Sequence, residues 1–223
     1  MAITNHAASP SATAAAHCLP LHAGTEAAVA ATKTFVCSVL AGLSLLAEWR
    51  QDRPLQAAIA AAPKAMEQAL TLDWSPLSAR LSRAQSAYVL GRGPAIGIAA
   101  EAALKLKETC GLHAEGYSAA EVLHGPSAIV HAGFPIFALA PDDEAQPHVV
   151  ATAERLAAQG ADVFLVGAEA KGAVTLPAVP DLHPLIAPIV LSVAFYAFVE
   201  TLSRRRGFDP DTPPHLRKVT ETL

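Results

Sequence analysis

The chain has 223 residues, of which 52% are hydrophobic, 16% charged and 5% aromatic, with a formal net charge of −4. This length allows one or two domains, and the apolar content is sufficient for a buried core. Because there is no excess of basic residues and few aromatic rings, neither phosphate neutralisation nor base stacking on a nucleic acid is expected.

Cysteine spacing, the N-terminus and the longest apolar run together predict a soluble cytoplasmic protein without a membrane partner. The three cysteines are far apart and lack CxxC spacing, which is typical of small buried residues in a reducing compartment. The N-terminus has neither the charged segment nor the apolar segment of a secretory signal. The run from Leu185 to Val199 contains Pro188 and is too short to span a bilayer, so it predicts a buried core helix.

Residues 1–72 predict one short strand and two long helices. The strand begins at Ala2, the first helix runs from about Glu26 to Trp49, and the second runs from about Leu55 to Leu70. The first helix is apolar on most of its faces, as expected of a helix that is buried on several sides. This set of elements is not a complete α/β unit, and we interpret residues 1–72 as the incomplete C-terminal portion of a first domain.

From about residue 75, predicted strands alternate with predicted helices. The strands are continuous apolar runs, which is typical of a parallel sheet that is covered on both faces. The expected architecture is therefore a three-layer α/β unit. Its strands are predicted at 84–90, 134–140, 162–166 and, less distinctly, 182–185, and its helices at 95–110, 118–123, 145–159 and from the last strand to 206.

A glycine turn, Gly91-Arg92-Gly93, follows the first of these strands and leads into a helix. Ligands of open parallel sheets bind at the carboxyl ends of the strands, and a helix N-terminus there favours an anion. The spacing through Gly97 differs by one residue from the dinucleotide-binding fingerprint, so it is a weak nucleotide motif.

A charged stripe follows on the same helix, formed by Glu101, Lys105 and Glu108 at positions i, i+4 and i+7. Such a stripe is commonly a solvated ladder of ion pairs. The remaining helix positions are largely alanine and leucine, and this favours a polar cleft instead. In a cleft, a carboxylate beside an ammonium group can act as a base of adjusted strength.

His124 lies in a loop that Gly125 and Pro126 restrain, and an imidazole there could transfer protons near neutral pH. A single loop histidine is also commonly structural or merely exposed. The sequence His113-Ala114-Glu115 resembles the HxE of zinc deaminases, but the PCxxC that would complete that site is absent. We predict no metal and no cofactor.

Several segments, taken in order, resemble the sugar isomerase (SIS) family, and in particular the isomerase part of glucosamine-6-phosphate synthases. The C-terminal segments resemble more closely the glucosamine-6-phosphate deaminases and fructosamine deglycases of the same fold. The segments that carry the resemblance are 29–34, 90–93, 101–108, 113–117, 121–126, 209–211 and 214–221.

The resemblance implies two SIS domains, each with a flavodoxin-like parallel sheet of five strands. Residues 73–208 would form the second SIS domain, after the remnant at 1–72, and residues 209–223 would form a C-terminal tail. The implied reaction is an aldose–ketose proton transfer between C1 and C2 of a hexose or hexosamine 6-phosphate, with loss of ammonia in the deaminases.

The resemblance also implies roles for individual residues. Glu108 matches the general base, and Lys218 matches a lysine that bonds to the open-chain ketose. His124 matches the histidine that assists ring opening from a neighbouring subunit, which implies a homodimer.

Four further positions match residues of the sugar pocket. Glu101 and Lys105 match residues that hold and polarise the sugar. Val29 and Ala31 match positions whose backbone lines the pocket, although the synthases have serine at the position of Ala31.

Two parts of the synthases have no counterpart in this sequence, namely the glutaminase domain and the Ser/Thr-rich loop that grips the sugar phosphate. We therefore expect the chain alone to bind hexose phosphates poorly. An alternative function is a non-catalytic module that binds sugar phosphates or regulates another protein. The joint presence of Glu108, His124 and Lys218 favours an enzyme, because a sensor needs no such set.

Overall fold

The computed structural model describes residues 1–218. Val219, Thr220 and Glu221, which belong to the C-terminal segment that resembles the deaminases, lie outside the described residues. The first part of the chain contains β1 (Ala2–Thr4), α1 (Pro10–Ala14), β2 (Cys18–Pro20), α2 (Lys33–Arg50), α3 (Arg53–Ala69) and α4 (Ser75–Leu81).

The second part is an alternation of strands and helices. It contains β3 (Ser86–Gly91), α5 (Ala95–Cys110), β4 (His113–Ser118), β5 (Pro135–Leu139), α6 (Gln146–Ala158), β6 (Asp162–Val166), β7 (Val174–Leu176) and α7 (Ala187–Arg205). Two short 3₁₀ helices, Glu121–His124 and Pro126–Ile129, lie between β4 and β5, where the sequence predicted one short helix.

Strands β3 to β7 form one parallel sheet in the order β4-β3-β5-β6-β7. This confirms the predicted three-layer, flavodoxin-like α/β architecture with five strands. The chain leaves β3 toward β4 on one side and later continues from β5 toward β6 on the other. The order therefore reverses between β3 and β5, and a crevice opens there at the carboxyl ends of the strands.

Two apolar cores lie on the two faces of this sheet. Alternate residues of β3 point to opposite faces, with Val89 in one core and Tyr88 and Leu90 in the other. The larger core packs α5 and α7, together with α2 to α4, against the sheet. The smaller core packs α6 against the opposite face.

Helix α2 begins at Lys33, so the prediction that it starts near Glu26 is wrong. The Glu26 carboxylate accepts hydrogen bonds from the backbone N–H groups of Thr32 at 2.8 Å and Lys33 at 2.7 Å. These N–H groups are at the start of a helix and have no partner within it. Their hydrogen bonds to Glu26 hold residues 27–32 as a loop that is attached to the start of α2. Residues 1–32 also hold a second strand, β2, which pairs in parallel with β1 across α1, where the sequence predicted one strand.

The prediction of a strand at 182–185 is also wrong, because the fifth strand of the sheet is β7. The segment 182–185 contains Pro184, which cannot donate to a strand ladder. Strand β4, at the opposite edge, was not predicted as a strand. Its residues are mostly polar or small, and it pairs with β3 alone, so it lacks the apolar run of a central strand.

Helix α7 is long and apolar enough to cross a membrane by length and composition, but 67% of that window is buried inside the fold. It packs against α5 and supplies Phe195 and Leu202 to the larger core. This confirms the prediction of a buried core helix between Leu185 and Val199.

Candidate active site

Glu101, Lys105 and Glu108 form one charged cluster on α5. The Lys105 ammonium donates to Glu108 Oε2 at 2.7 Å, and it lies 3.3 Å from Glu101 Oε1. The side chains of Lys105, Glu101 and Glu108 are 5%, 10% and 23% exposed. The alternative of a solvated ladder is therefore wrong, because the cluster is largely removed from water.

Tyr196 on α7 completes this cluster, and sequence reasoning did not identify it. Its hydroxyl donates to Glu101 Oε1 at 2.7 Å. Burial, followed by the negative charge and hydrogen bond of Glu101, raises the pKa of the Tyr196 phenol far above its ordinary value. A signal was present in the sequence, because a phenol in an otherwise apolar buried run needs a polar partner.

The end of α5 is fixed by side chains of α7 and the segment that follows it. The carbonyl of Thr109 accepts from the Ser203 hydroxyl at 2.6 Å, and the carbonyl of Cys110 accepts from Arg206 Nε at 2.7 Å. Gly111 ends the helix with φ +56°, and a Cβ there would lie 2.7 Å from the Phe208 ring. The last turn of α5, which carries Glu108, is therefore held in place by its surroundings.

The loop at residues 27–32 brings the N-terminal part of the predicted site to the C-terminal tail. Lys218 Nζ donates to the carbonyl of Ala28, next to Val29 and three residues from Ala31. Glu26 holds the end of the same loop through the hydroxyl and backbone of Thr34. Lys218, which is 190 residues from Ala28 in sequence, thus meets the loop that carries Val29 and Ala31.

A cavity of about 320 Å³ lies between this loop, α5 and α7. Lys105 and Tyr196 line it together with Ala28 and Ala30 of the loop, and Asp211 lines it from the tail. The loop, Tyr196 and the Lys105 ammonium of the charged cluster therefore face a common space, which is large enough for a small molecule.

The structure does not bring the glycine turn or His124 to this cluster. Gly91 and Gly93 precede the start of α5, whereas Glu108 lies about 20 Å further along the helix axis. His124 is exposed at the end of a 3₁₀ helix and, within residues 1–218, forms no hydrogen bond with Glu101, Lys105 or Glu108. Within one chain the glycine turn and His124 therefore lie apart from Glu108, and the expectation that His124 acts in the site of a neighbouring subunit stays a prediction.

A second cavity, of about 480 Å³, marks the crevice at the carboxyl ends of the strands. It is lined by Arg92 and Gly93 of the glycine turn and by Asp143 and His148 from the start of α6. The general rule for parallel sheets thus locates an opening at the glycine turn, and the charged cluster lies elsewhere.

The SIS domain family model matches residues 80–204, which span β3 to α7. A glutamine–fructose-6-phosphate aminotransferase (isomerizing) of Zymomonas mobilis is 34% identical over 219 residues, which cover 90% of this chain and 36% of that protein. The chain thus spans about a third of the length of the curated relatives that it matches.

Two solved structures are similar over most of the chain. A Silicibacter pomeroyi protein, described as a candidate phosphosugar isomerase, is 46% identical with a TM-score of 0.90, covering 94% of this chain and 64% of that one. The C-terminal domain of a Francisella tularensis glucosamine-fructose-6-phosphate aminotransferase is 27% identical with a TM-score of 0.70, covering 88% and 60%. Because the SIS domain family model matches more than half of this chain, the chain belongs to the SIS domain family.

Proposed function

We propose that this chain carries the proton-transfer part of a phosphosugar active site and takes part in aldose–ketose isomerisation of hexose or hexosamine 6-phosphates. The observation that carries the proposal is the Lys105 ammonium, which is held 2.7 Å from the Glu108 carboxylate beside a cavity. Such a proton transfer needs a carboxylate that acts as the base and a cation that stabilises the developing negative charge, and this largely buried cluster contains both.

In the proposed reaction, the Glu108 carboxylate removes a proton from the carbon beside the sugar carbonyl or imine. The resulting enediol or enolamine takes the proton back on the adjacent carbon, so that an aldose and a ketose interconvert. The Lys105 ammonium stabilises the negative charge that develops on oxygen. With a 2-amino sugar the same shift yields a ketose imine, which water hydrolyses to the ketose and ammonia.

The remaining predicted residues have supporting roles in this proposal. Lys218 bonds to the open-chain ketose, and its contact with the loop at Ala28 supports a position near the sugar. Val29 and Ala31 offer backbone groups to the sugar from that loop. His124 assists ring opening in the site of a second subunit, and its exposure and separation from Glu108 within one chain support a homodimer.

The choice of substrate rests on the relatives. Similar proteins are named as aminotransferases of fructose 6-phosphate and as candidate phosphosugar isomerases, and we extend that substrate class to this chain. Deamination of glucosamine 6-phosphate and action on a fructosamine 6-phosphate belong to the same proposal, as does a cytoplasmic location.

The test is the substitution Glu108→Gln, which keeps the shape of the side chain and removes the base. The chain is incubated in D₂O with millimolar fructose 6-phosphate or glucosamine 6-phosphate, and deuterium at C1 and C2 is followed by NMR. The millimolar concentration offsets the weak binding that we expect of the chain alone. We therefore expect exchange with the wild-type chain and a loss of at least about a hundredfold in the variant, because general base catalysis contributes on that order.

Glu67→Gln, a change of an exposed glutamate on α3, is the matched control and should exchange like the wild type. Isothermal titration should show similar binding of the sugar phosphate to Glu108→Gln and wild type. Equal exchange in Glu108→Gln and wild type would refute the base assignment. Binding by a wild-type chain that never exchanges deuterium would instead favour the non-catalytic binding module.

A further inference from the structure

Tyr196 contacts the charged cluster, yet the proton transfer proposed above assigns it no task. Its hydroxyl donates to Glu101 Oε1, and this is the same oxygen that faces the Lys105 ammonium. A carboxylate oxygen can accept from both donors, but each donor reduces the charge available to the other.

Lys105 lies between two carboxylates and is not equidistant from them. It is 2.7 Å from Glu108 Oε2 and 3.3 Å from Glu101 Oε1. Electrostatic attraction increases as the distance shortens, so the ammonium is bound more strongly to Glu108. The Glu101 oxygen at the longer distance is the one that accepts the hydrogen bond from the Tyr196 hydroxyl.

We propose that Tyr196 is a positioning residue, whose hydroxyl engages the Glu101 carboxylate so that the Lys105 ammonium stays against Glu108. This inference rests on the proposed function, because it takes Glu108 as the base and Lys105 as its cation. Tyr196 acts through Glu101 and Lys105, and it does not itself take part in the proton transfer.

The surroundings keep the phenol protonated, as a permanent donor must be. Burial and the negative charges of Glu101, Glu26 and Glu108 all raise the pKa of Tyr196, so it stays neutral across the working range of pH. The charged groups around it are Glu26 before α2, then Glu101, Lys105 and Glu108 on α5, Glu200 on α7 and Asp211 on the tail.

The test is Tyr196→Phe, which removes one oxygen and keeps the packed ring. Without the phenol, Glu101 competes fully for the ammonium, and a crystal structure should show Lys105 Nζ closer to Glu101 than to Glu108. We expect the turnover number to fall by about ten- to a hundredfold with less than about a threefold change in KM, since a small displacement of a reacting group has an effect of this size.

Tyr117→Phe is the matched control, since its hydroxyl donates to Glu115 Oε2 at 2.8 Å on strand β4. The turnover number, KM and the Lys105 contacts should stay unchanged in that variant. A Tyr196→Phe structure in which Lys105 keeps both distances, or an unchanged turnover number, would overturn the role of Tyr196. The structural measurement needs no turnover, so an inactive wild-type chain would refute the proposed function and leave this inference testable on its own.

Discussion

Glu26 illustrates, at the scale of single residues, how one side chain determines the path of the backbone. Burial by itself raises the pKa of Glu26, but hydrogen bonds from the Thr34 hydroxyl and from the backbone N–H groups of residues 32–34 outweigh it and lower the pKa to about 2. A carboxylate at a helix start also interacts favourably with the partial positive charge of that end. The loop that carries Val29 and Ala31 is therefore anchored by an ionised side chain.

Glu26→Gln should therefore destabilise the fold at neutral pH. Because the folded-state pKa lies below the ordinary value of 4.5, the stabilisation is complete above about pH 4.5 and is lost as the pH falls toward 2. We expect a loss of about 1–2 kcal/mol at pH 7, reduced by solvent screening of a partly exposed group, and almost none at pH 2.

Urea unfolding of wild type and Glu26→Gln at several pH values measures this difference. Glu67→Gln, on the exposed side of α3, should show no such pH-dependent difference from the wild type. A destabilisation by Glu26→Gln that is equal at pH 7 and pH 2 would show that packing, not charge, accounts for the effect.

Helix α5 and strand β4 approach each other closely enough to exclude a side chain between them. A Cβ on Gly116 would lie 2.8 Å from Ala100 Cα and 3.0 Å from the carbonyl oxygen of Ala99. Both contacts are with helix backbone, which cannot move aside without shifting α5. The position of α5, and of the charged cluster that it carries, thus depends on glycine at position 116, where the helix meets the sheet.

Gly116→Ala should therefore destabilise the chain by about 1–3 kcal/mol through overpacking. Gly97→Ala, on helix α5, is the control with the opposite sign. A Cβ there would meet nothing within 4 Å, so the higher helix propensity of alanine should stabilise the chain by up to about 1 kcal/mol. Denaturant midpoints measure both, and equal effects of the two substitutions would contradict the close approach.

At the scale of the whole molecule, the proposed catalytic groups lie at opposite ends of α5. Glu108 is in its last turn, whereas His124 follows β4 at the carboxyl edge of the sheet. A single copy therefore does not join the two groups, and in the proposed homodimer a second copy would supply the histidine. This arrangement makes the oligomer part of the proposed site.

Mixing two inactive variants tests this arrangement. If each site combines Glu108 of one subunit with His124 of the other, heterodimers of Glu108→Gln and His124→Asn contain one intact site and one doubly altered site. Random subunit exchange should restore about a quarter of wild-type turnover, since about half of the dimers are mixed and each has one intact site of two. No recovery after confirmed subunit exchange would place both groups in the same chain's site.

Much of the fold follows from local pattern. Helix α5 begins and ends at the predicted residues, Ala95 and Cys110, and β6 matches its prediction at 162–166. A buried parallel strand is a continuous apolar run and a buried helix repeats its apolar residues every turn, so both signals lie within a few neighbouring residues. The pattern failed for β4 and β7, the edge strands, because each has one strand partner and less apolar surface to bury.

The sequence by itself determined the α/β class, the SIS resemblance and the shared face of Glu101, Lys105 and Glu108, since helical spacing places those side chains together. Only the tertiary structure decided that the cluster is buried, that Tyr196 joins it from 95 residues away, and that Lys218 meets the loop of Ala28. It also decided that the glycine turn and His124 lie apart from Glu108. The physical reason is that hydrogen bonds between distant segments depend on how helices and loops pack around the sheet, and no local periodicity encodes that packing.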